Sequence, residues 1–205
     1  MYNLPEKTIM KKQLSKAAIY KKFNLNSSAK ARFDSDISRM DIVGEISQST
    51  VSLPAGDSVS SIFVLQISLK KKDFDEKSIT LISKLIEQKM IFVLEFESKA
   101  KLAVYYGKLF QTDWQDINDI SIDIQGLNLD SAYQNMIIQI GDIHIENDNS
   151  LDEQIICDEK RAKLEKEIAR LEKLARAEKQ PKRAFELHQK IIKLKNEIGE
   201  YYENI

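Results

Sequence analysis

Ile62-Phe63-Val64-Leu65-Gln66-Ile67-Ser68-Leu69 runs straight into Lys70-Lys71-Lys72-Asp73, and this junction decides the fold. A continuous apolar run that becomes alternating and stops at a charged cluster is the pattern of an inner strand. Downstream, Asp75 to Lys89 reads as an amphipathic helix, with Ile79, Ile82, Leu85 and Ile86 at three-to-four spacing and charge opposite. Met90 to Phe96 is a second apolar strand. Glu97-Ser98-Lys99-Ala100 is a turn, and Lys101 to Leu109 is a third strand. A helical crossover makes the first two strands parallel, and a short turn makes the third antiparallel to the second. The helix is expected to cover one face of this mixed sheet.

Upstream of this unit, Thr50-Val51-Ser52-Leu53 alternates as a short strand does and stops at the turn signal Pro54-Ala55-Gly56-Asp57. Ile37 to Ser47 reads as a strand of imperfect alternation. Leu14, Ala17, Ala18 and Ile19 recur at helical spacing through Phe23, and Asn26-Ser27-Ser28 offers an N-cap for a second short helix through Phe33. Downstream, Ile117, Ile120, Ile122 and Ile124 mark an edge strand or an irregular segment, and Leu129 to Ile140 a closing helix. Glu146-Asn147-Asp148-Asn149-Ser150 is polar and breaks the pattern.

The last fifty residues carry two coiled-coil-like seams. Leu164, Ile168, Leu171 and Ala175 keep a 4-3-4 spacing; Ala184, Leu187, Ile191, Leu194, Ile198 and Tyr201 keep 3-4-3-4-3. Pro181 between them suits the first turn of a helix, where its missing N–H costs nothing. The expected architecture is therefore an α+β domain over residues 1–145 with two short N-terminal helices, a linker over 146–151, and an antiparallel helical hairpin over 152–205. One long kinked helix that dimerises is the alternative for the last part, opposed by the ~3 kcal/mol cost of proline in a helix interior.

Composition narrows the class. A single cysteine, Cys157, excludes an intrachain disulfide and a multi-cysteine metal site, and fits a reducing compartment. Lysines interrupt the N-terminus where a signal peptide needs an apolar run, and no stretch approaches the ~20 apolar residues of a membrane span. A cytoplasmic protein with no membrane contact is expected. Charge is uneven: residues 1–35 hold eight Lys/Arg and two acids, residues 36–158 ten against twenty-one, and residues 159–205 thirteen against nine. Basic ends around an acidic middle point to nucleic acid, to an acidic partner surface, or to docking of the ends on the body.

Chemical motifs are few. Glu95-Phe96-Glu97-Ser98-Lys99 resembles the metal-binding strand end of restriction-type nucleases, in which acids hold a divalent cation and a lysine orients the attacking water. Strand alternation puts Glu95 and Glu97 on one face. The proline–aspartate partner on a preceding strand is missing, and Asp57, the nearest acid, sits in a turn. His144 and His188 lie far apart, no His pair has helical zinc spacing, and the scattered glycines make no phosphate loop. No cofactor and no resident metal are expected. Lys70, Lys71 and Lys72 form one basic contact candidate, with Tyr105, Tyr106 and Trp114 available for core packing or base stacking. Lys179, Lys182 and Arg183 at the hairpin tip form another.

Asn3-Leu4-Pro5, Thr50 to Gly56, Ile62 to Lys70, Ile82 to Phe96 and the basic helical tail with Glu178-Lys179-Gln180 resemble a bacterial family known as the domain of unknown function numbered 4391. The resemblance covers nearly the whole chain and rests on hydrophobic pattern, so no catalytic residue carries over. Members of that family often stand beside helicases and site-specific DNA methyltransferases. The resemblance therefore implies a role in restriction-modification-like, antiviral defence. The expected function is a non-catalytic interaction subunit of a DNA-processing complex, partnered by a larger protein such as a helicase or methyltransferase and touching DNA. A metal-dependent nuclease using Glu95, Glu97 and Lys99 is one alternative, and a self-associating structural protein, homodimeric through its arm, is another.

Overall fold

The computed structural model describes residues 1–85, 87–146 and 148–203, with side chains as far as residue 199. The chain divides into two compact units, Met1–Asp142 and the remainder from Ile143.

The first unit is built on a seven-stranded mixed sheet. Its strands are β1 (Ile9–Gln13), β2 (Ile37–Ser47), β3 (Ser61–Leu69), β4 (Lys89–Phe96), β5 (Lys99–Tyr106), β6 (Lys108–Gln111) and β7 (Gln115–Asp116). Order in space follows order in sequence from β1 to β6, and β7 pairs the free end of β5 beside β6. β3 and β4 are parallel, with Ile62 opposite Lys89 and Ser68 opposite Glu95. The β2–β3 and β4–β5 pairs are antiparallel. The expected strand–helix–strand–strand unit is thus present, and it is flanked by strands on both sides.

Helices cover both faces, which explains the near-continuous apolar runs. On one face α1 (Lys16–Lys22), α2 (Ser27–Asp36) and α3 (Glu76–Ser83) bury Ile19, Phe33, Ile79 and Ile82. These pack with Leu65, Ile67, Met90, Phe92 and Leu94 in one core. The other face carries Val64, Ile91, Val93, Leu102 and Val104, and α4 (Leu129–Gly141) lies over it with Ala132, Met136 and Ile140 buried. Asn26 caps α2 through Ala29 N–H at 2.8 Å, as its sequence position predicts. Asn128 and Ser131 close a capping box on α4.

Three local expectations are corrected, and one strand carried no signal in the sequence. β1 was not legible: it is an exposed edge strand with Lys11 and Lys12 in place of alternation, a common protection of sheet edges. Thr50 to Leu53 is turn and bend rather than strand, because Thr50 Oγ1 accepts from Ser47 N–H at 2.8 Å and donates to the Glu45 carbonyl at 2.9 Å, closing the chain on itself. The crossover helix stops at Ser83 instead of Lys89. The Lys84 N–H bonds the Leu81 and Ile82 carbonyls, and Lys22 Nζ donates to the Leu85 carbonyl; Ile86 lies outside the described residues. The third strand divides at Gly107, whose φ of 69° turns β5 into β6. The imperfect alternation of Ile37–Ser47 has its cause in two register shifts against β3, which place successive residues on one face.

The loop ahead of β3 is fastened to α4. The Asp130 carboxylate accepts N–H bonds from Asp57 and Val59, each at 2.8 Å, and from Ser58 at 3.2 Å. A Cβ on Gly56 would sit 2.2 Å from Asp130 Cγ, so glycine is what lets the carboxylate approach.

The second unit holds α5 (Leu151–Ala177) and α6 (Pro181–Glu203). Ser150 and Glu153 form a capping box at the start of α5. The segment ahead of it is tied in by the buried Gln154, whose Oε1 accepts from Glu146 N–H at 3.0 Å and Asn149 Nδ2 at 3.1 Å. Asn147 of that segment lies outside the described residues. Ile168, Leu171 and Ala175 of α5 bury against Ile191, Leu187, Leu194 and Ile198 of α6. Lys195 Nζ reaches Glu172 Oε1 at 2.8 Å across the pair. The two helices form the hairpin that the seams predict, with Pro181 opening α6. The Tyr201 side chain lies outside the described residues.

Candidate functional site

Ligand sites of open sheets with parallel strands favour the carboxyl ends of those strands. In this chain Lys70 to Lys72 follow β3 and Glu95 to Lys99 end β4 and open β5, but the sheet divides them.

On the α4 face, Glu95 of β4 accepts hydrogen bonds from Gln66 Nε2 of β3 at 2.6 Å and from the Tyr2 hydroxyl. Burial and the adjoining Glu95 carboxylate together push the Tyr2 phenol well above its ordinary range, so Tyr2 stays a neutral donor. An open cleft of about 730 Å³ adjoins this cluster, lined also by Asn118, Asp119 and Ser121.

The nuclease-like pattern does not converge here. Glu97 is not in a strand: it occupies the two-residue turn between β4 and β5 with φ 55°. It therefore has no face to share with Glu95. Lys99 is paired with Phe96 and Glu95 with Ala100 across the β4–β5 ladder, which sets Lys99 and Glu95 on opposite faces. Lys99 instead lies 3.8 Å from Asp116 of β7. Asp57 is at the amino end of β3, away from Glu95, with its N–H held by Asp130. Among the described residues, no three or more His, Cys, Asp or Glu gather as a metal site.

On the opposite face, Lys71 and Lys72 after β3 have separate roles. Lys71 Nζ lies 2.7 Å from Asp36 Oδ1, a carboxylate at the end of α2 that is wholly buried. Asp36 also accepts from Asp75 N–H at 2.8 Å. Burial alone would raise the Asp36 pKa, but Lys71, the Asp75 N–H and Ser35 outweigh it and hold the carboxyl below the usual range. Lys72 Nζ lies 5.8 Å from the centroid of Trp114, in the segment joining β6 and β7. Lys101 of β5, which the sequence reading did not single out, has its Nζ 5.0 Å from both the Trp114 and the Phe74 centroids. Burial pushes the Lys101 ammonium below its ordinary pKa, and the charge on Lys72 adds to this against Glu76 and Asp113. Nearby, Gln111 donates to Glu76 Oε1 at 2.6 Å. A lysine alternating with Ala103 and Tyr105 gives no signal by itself; only the return of the chain at Trp114 brings the group together.

In the helical unit, Lys179, Lys182 and Arg183 are exposed around the start of α6, as the tip reading requires. Cys157 is half-buried and free, and His144 and His188 are exposed. The feature the sequence reading passed over is a second stripe on α6. Phe185, Gln189, Ile192 and Asn196 follow one another at four-three-four spacing, flanked by His188 and Gly199, and none is charged. All are exposed, Phe185 at 63% and Ile192 at 51%. The opposite side of the same helix already fills the seam with α5.

Fold and site together define an α+β protein with a mixed sheet and an appended helical hairpin. No described helix is long and apolar enough to cross a membrane. The chain belongs to the family described as Domain of unknown function (DUF4391), whose match spans residues 2–198. No curated protein and no solved structure matches it.

Proposed function

We propose that the protein is a non-catalytic interaction subunit of a cytoplasmic DNA-processing assembly of the restriction-modification-like, antiviral kind. Its helical hairpin docks a larger protein, a helicase or a DNA methyltransferase. The observation that carries this reading is the uncharged outer stripe of α6. A helix that needs only one apolar face to close its hairpin presents Phe185 and Ile192 to solvent on another. Apolar anchors presented at helical spacing are how amphipathic helices enter partner grooves. The exposed Lys179, Lys182 and Arg183 beside it suit an acidic rim or nearby DNA.

The separate placement of Glu95, Glu97 and Lys99 supports this reading over a nuclease. Purified protein incubated with supercoiled and linear DNA and Mg²⁺ or Mn²⁺ is expected to leave the DNA intact. Cleavage abolished by Glu95→Gln would overturn the non-catalytic assignment. Light scattering tests the self-associating alternative, and a monomer that stays monomeric with Phe185→Glu is the expected outcome.

A further inference from the structure

Two ammonium groups lie beside one tryptophan, and neither is in contact with a carboxylate among the described residues. Lys72 arrives from the β3–α3 loop and Lys101 from β5. Their Nζ atoms stand 5.8 and 5.0 Å from the Trp114 centroid, and Lys101 also stands 5.0 Å from the Phe74 centroid. Among the described residues neither lysine forms an ion pair, whereas Lys71, next to Lys72 in the chain, is engaged by Asp36. Glu76 and Asp113 act on Lys101 only from a distance. Two ammonium groups placed side by side with no carboxylate in contact can share one further anion. The location is the carboxyl end of a parallel strand, where α/β sheets present ligands.

The identity of the anion follows from what surrounds it. Lysines are strongly hydrated point charges that neutralise phosphate without demanding a particular geometry. Phe74 and Trp114 add planar rings, which a carboxylate-bearing peptide does not use but an unpaired base does, at ~1–3 kcal/mol per stacked base. A duplex keeps its bases stacked internally, so only a single strand can use both elements. We propose that Lys72, Lys101, Phe74 and Trp114 form a binding surface for single-stranded nucleic acid, with a phosphate between the two ammonium groups and a base against the indole. This surface belongs to the first unit, and the inference stands whether or not the hairpin docks a partner.

Trp114 is the single tryptophan of the chain, so its fluorescence reports this surface alone. Titration of the full chain with oligothymidylate of about 15 nucleotides, long enough to span a typical single-strand site, is expected to quench Trp114 saturably. Binding should weaken at least about tenfold in Lys72→Gln/Lys101→Met. The salt dependence of log K should become shallower by about 0.7, the share of the one phosphate the two ammonium groups hold. Lys77→Gln, an exposed charge on α3, should leave both unchanged. Oligothymidylate should also protect Lys72 and Lys101 of the wild-type chain from acetylation, a readout that does not depend on the variant's folding. Absence of saturable quenching together with absence of protection would overturn the proposal. So would inorganic phosphate, duplex DNA or polyglutamate binding as tightly as the oligonucleotide.

Discussion

The Lys71 ammonium lies 2.7 Å from Oδ1 of Asp36, whose carboxylate is wholly buried although the lysine is half exposed. The central lysine of the basic triplet is therefore a structural counter-ion. Lys71→Met should destabilise the first unit by about 1–3 kcal/mol, because it leaves a buried acceptor with only its N–H and hydroxyl donors. The open end of the lysine keeps the loss below the ~3–5 kcal/mol typical of a fully buried pair. Urea unfolding of Lys71→Met beside Lys70→Met measures this, and Lys70→Met should be close to wild type. The pH dependence follows in sign. A carboxyl held below its ordinary value stabilises the fold above about pH 4, and that contribution is lost as pH falls through the lowered value.

Glu97 occupies a left-handed backbone position at φ 55°. A side chain there costs roughly 1 kcal/mol that glycine avoids. Glu97→Gly should therefore raise stability by about 0.5–1 kcal/mol. A loss of stability on removing this carboxylate would show that Glu97 has a partner that the turn geometry does not account for. Thermal unfolding with matched buffers settles the sign.

Gly56 lies close against the carboxylate of Asp130 from another segment of the first unit. With 2.2 Å between a would-be Cβ and Asp130 Cγ, Gly56→Ala must displace the carboxylate from its three N–H donors. A destabilisation of about 1–3 kcal/mol is expected, of the size seen when extra atoms are forced into packed sites. Hydrogen exchange should show the loss first at the amides of Asp57, Ser58 and Val59.

The sequence carried the inner strands and the seams because burial there leaves a period. Ile62–Leu69 and Met90–Phe96 read as strands, and Leu164–Ala175 and Ala184–Ile198 read as helices that close on each other. It did not carry β1, whose exposed lysines have no apolar rhythm, or the shortness of α3, which depends on where β4 must begin to pair with Ile62. The site was harder still. Reading Glu97 to Ala100 as one turn concealed that only Glu97 and Ser98 turn, and that two-residue length is what parts Lys99 from Glu95. The meeting of Lys72, Lys101 and Trp114 depends on the return of the chain through β6 and β7 onto β5, and it joins segments far apart in the sequence. The outer stripe of α6 was present in the spacing of Phe185 and Ile192, but the stronger seam beside it absorbed the reading.

Neighbouring isoleucines on α6 make a sharp internal control. Ile191 is buried in the seam and Ile192 is exposed. Ile191→Asp should cost the helical unit about 3 kcal/mol or more, since it places an unpaired charge among apolar side chains. Ile192→Asp should stay within about 0.5 kcal/mol of wild type. Chemical denaturation followed by circular dichroism compares the two.

Affinity purification of the tagged chain from its native host, wild type beside Phe185→Glu/Ile192→Glu, asks whether the outer stripe of α6 holds a partner. A helicase or DNA methyltransferase should be retained in stoichiometric amount by the wild type and lost from the variant, whose circular dichroism and melting remain unchanged. Retention of the same protein by the folded variant, or recovery of the wild-type chain alone, would contradict it.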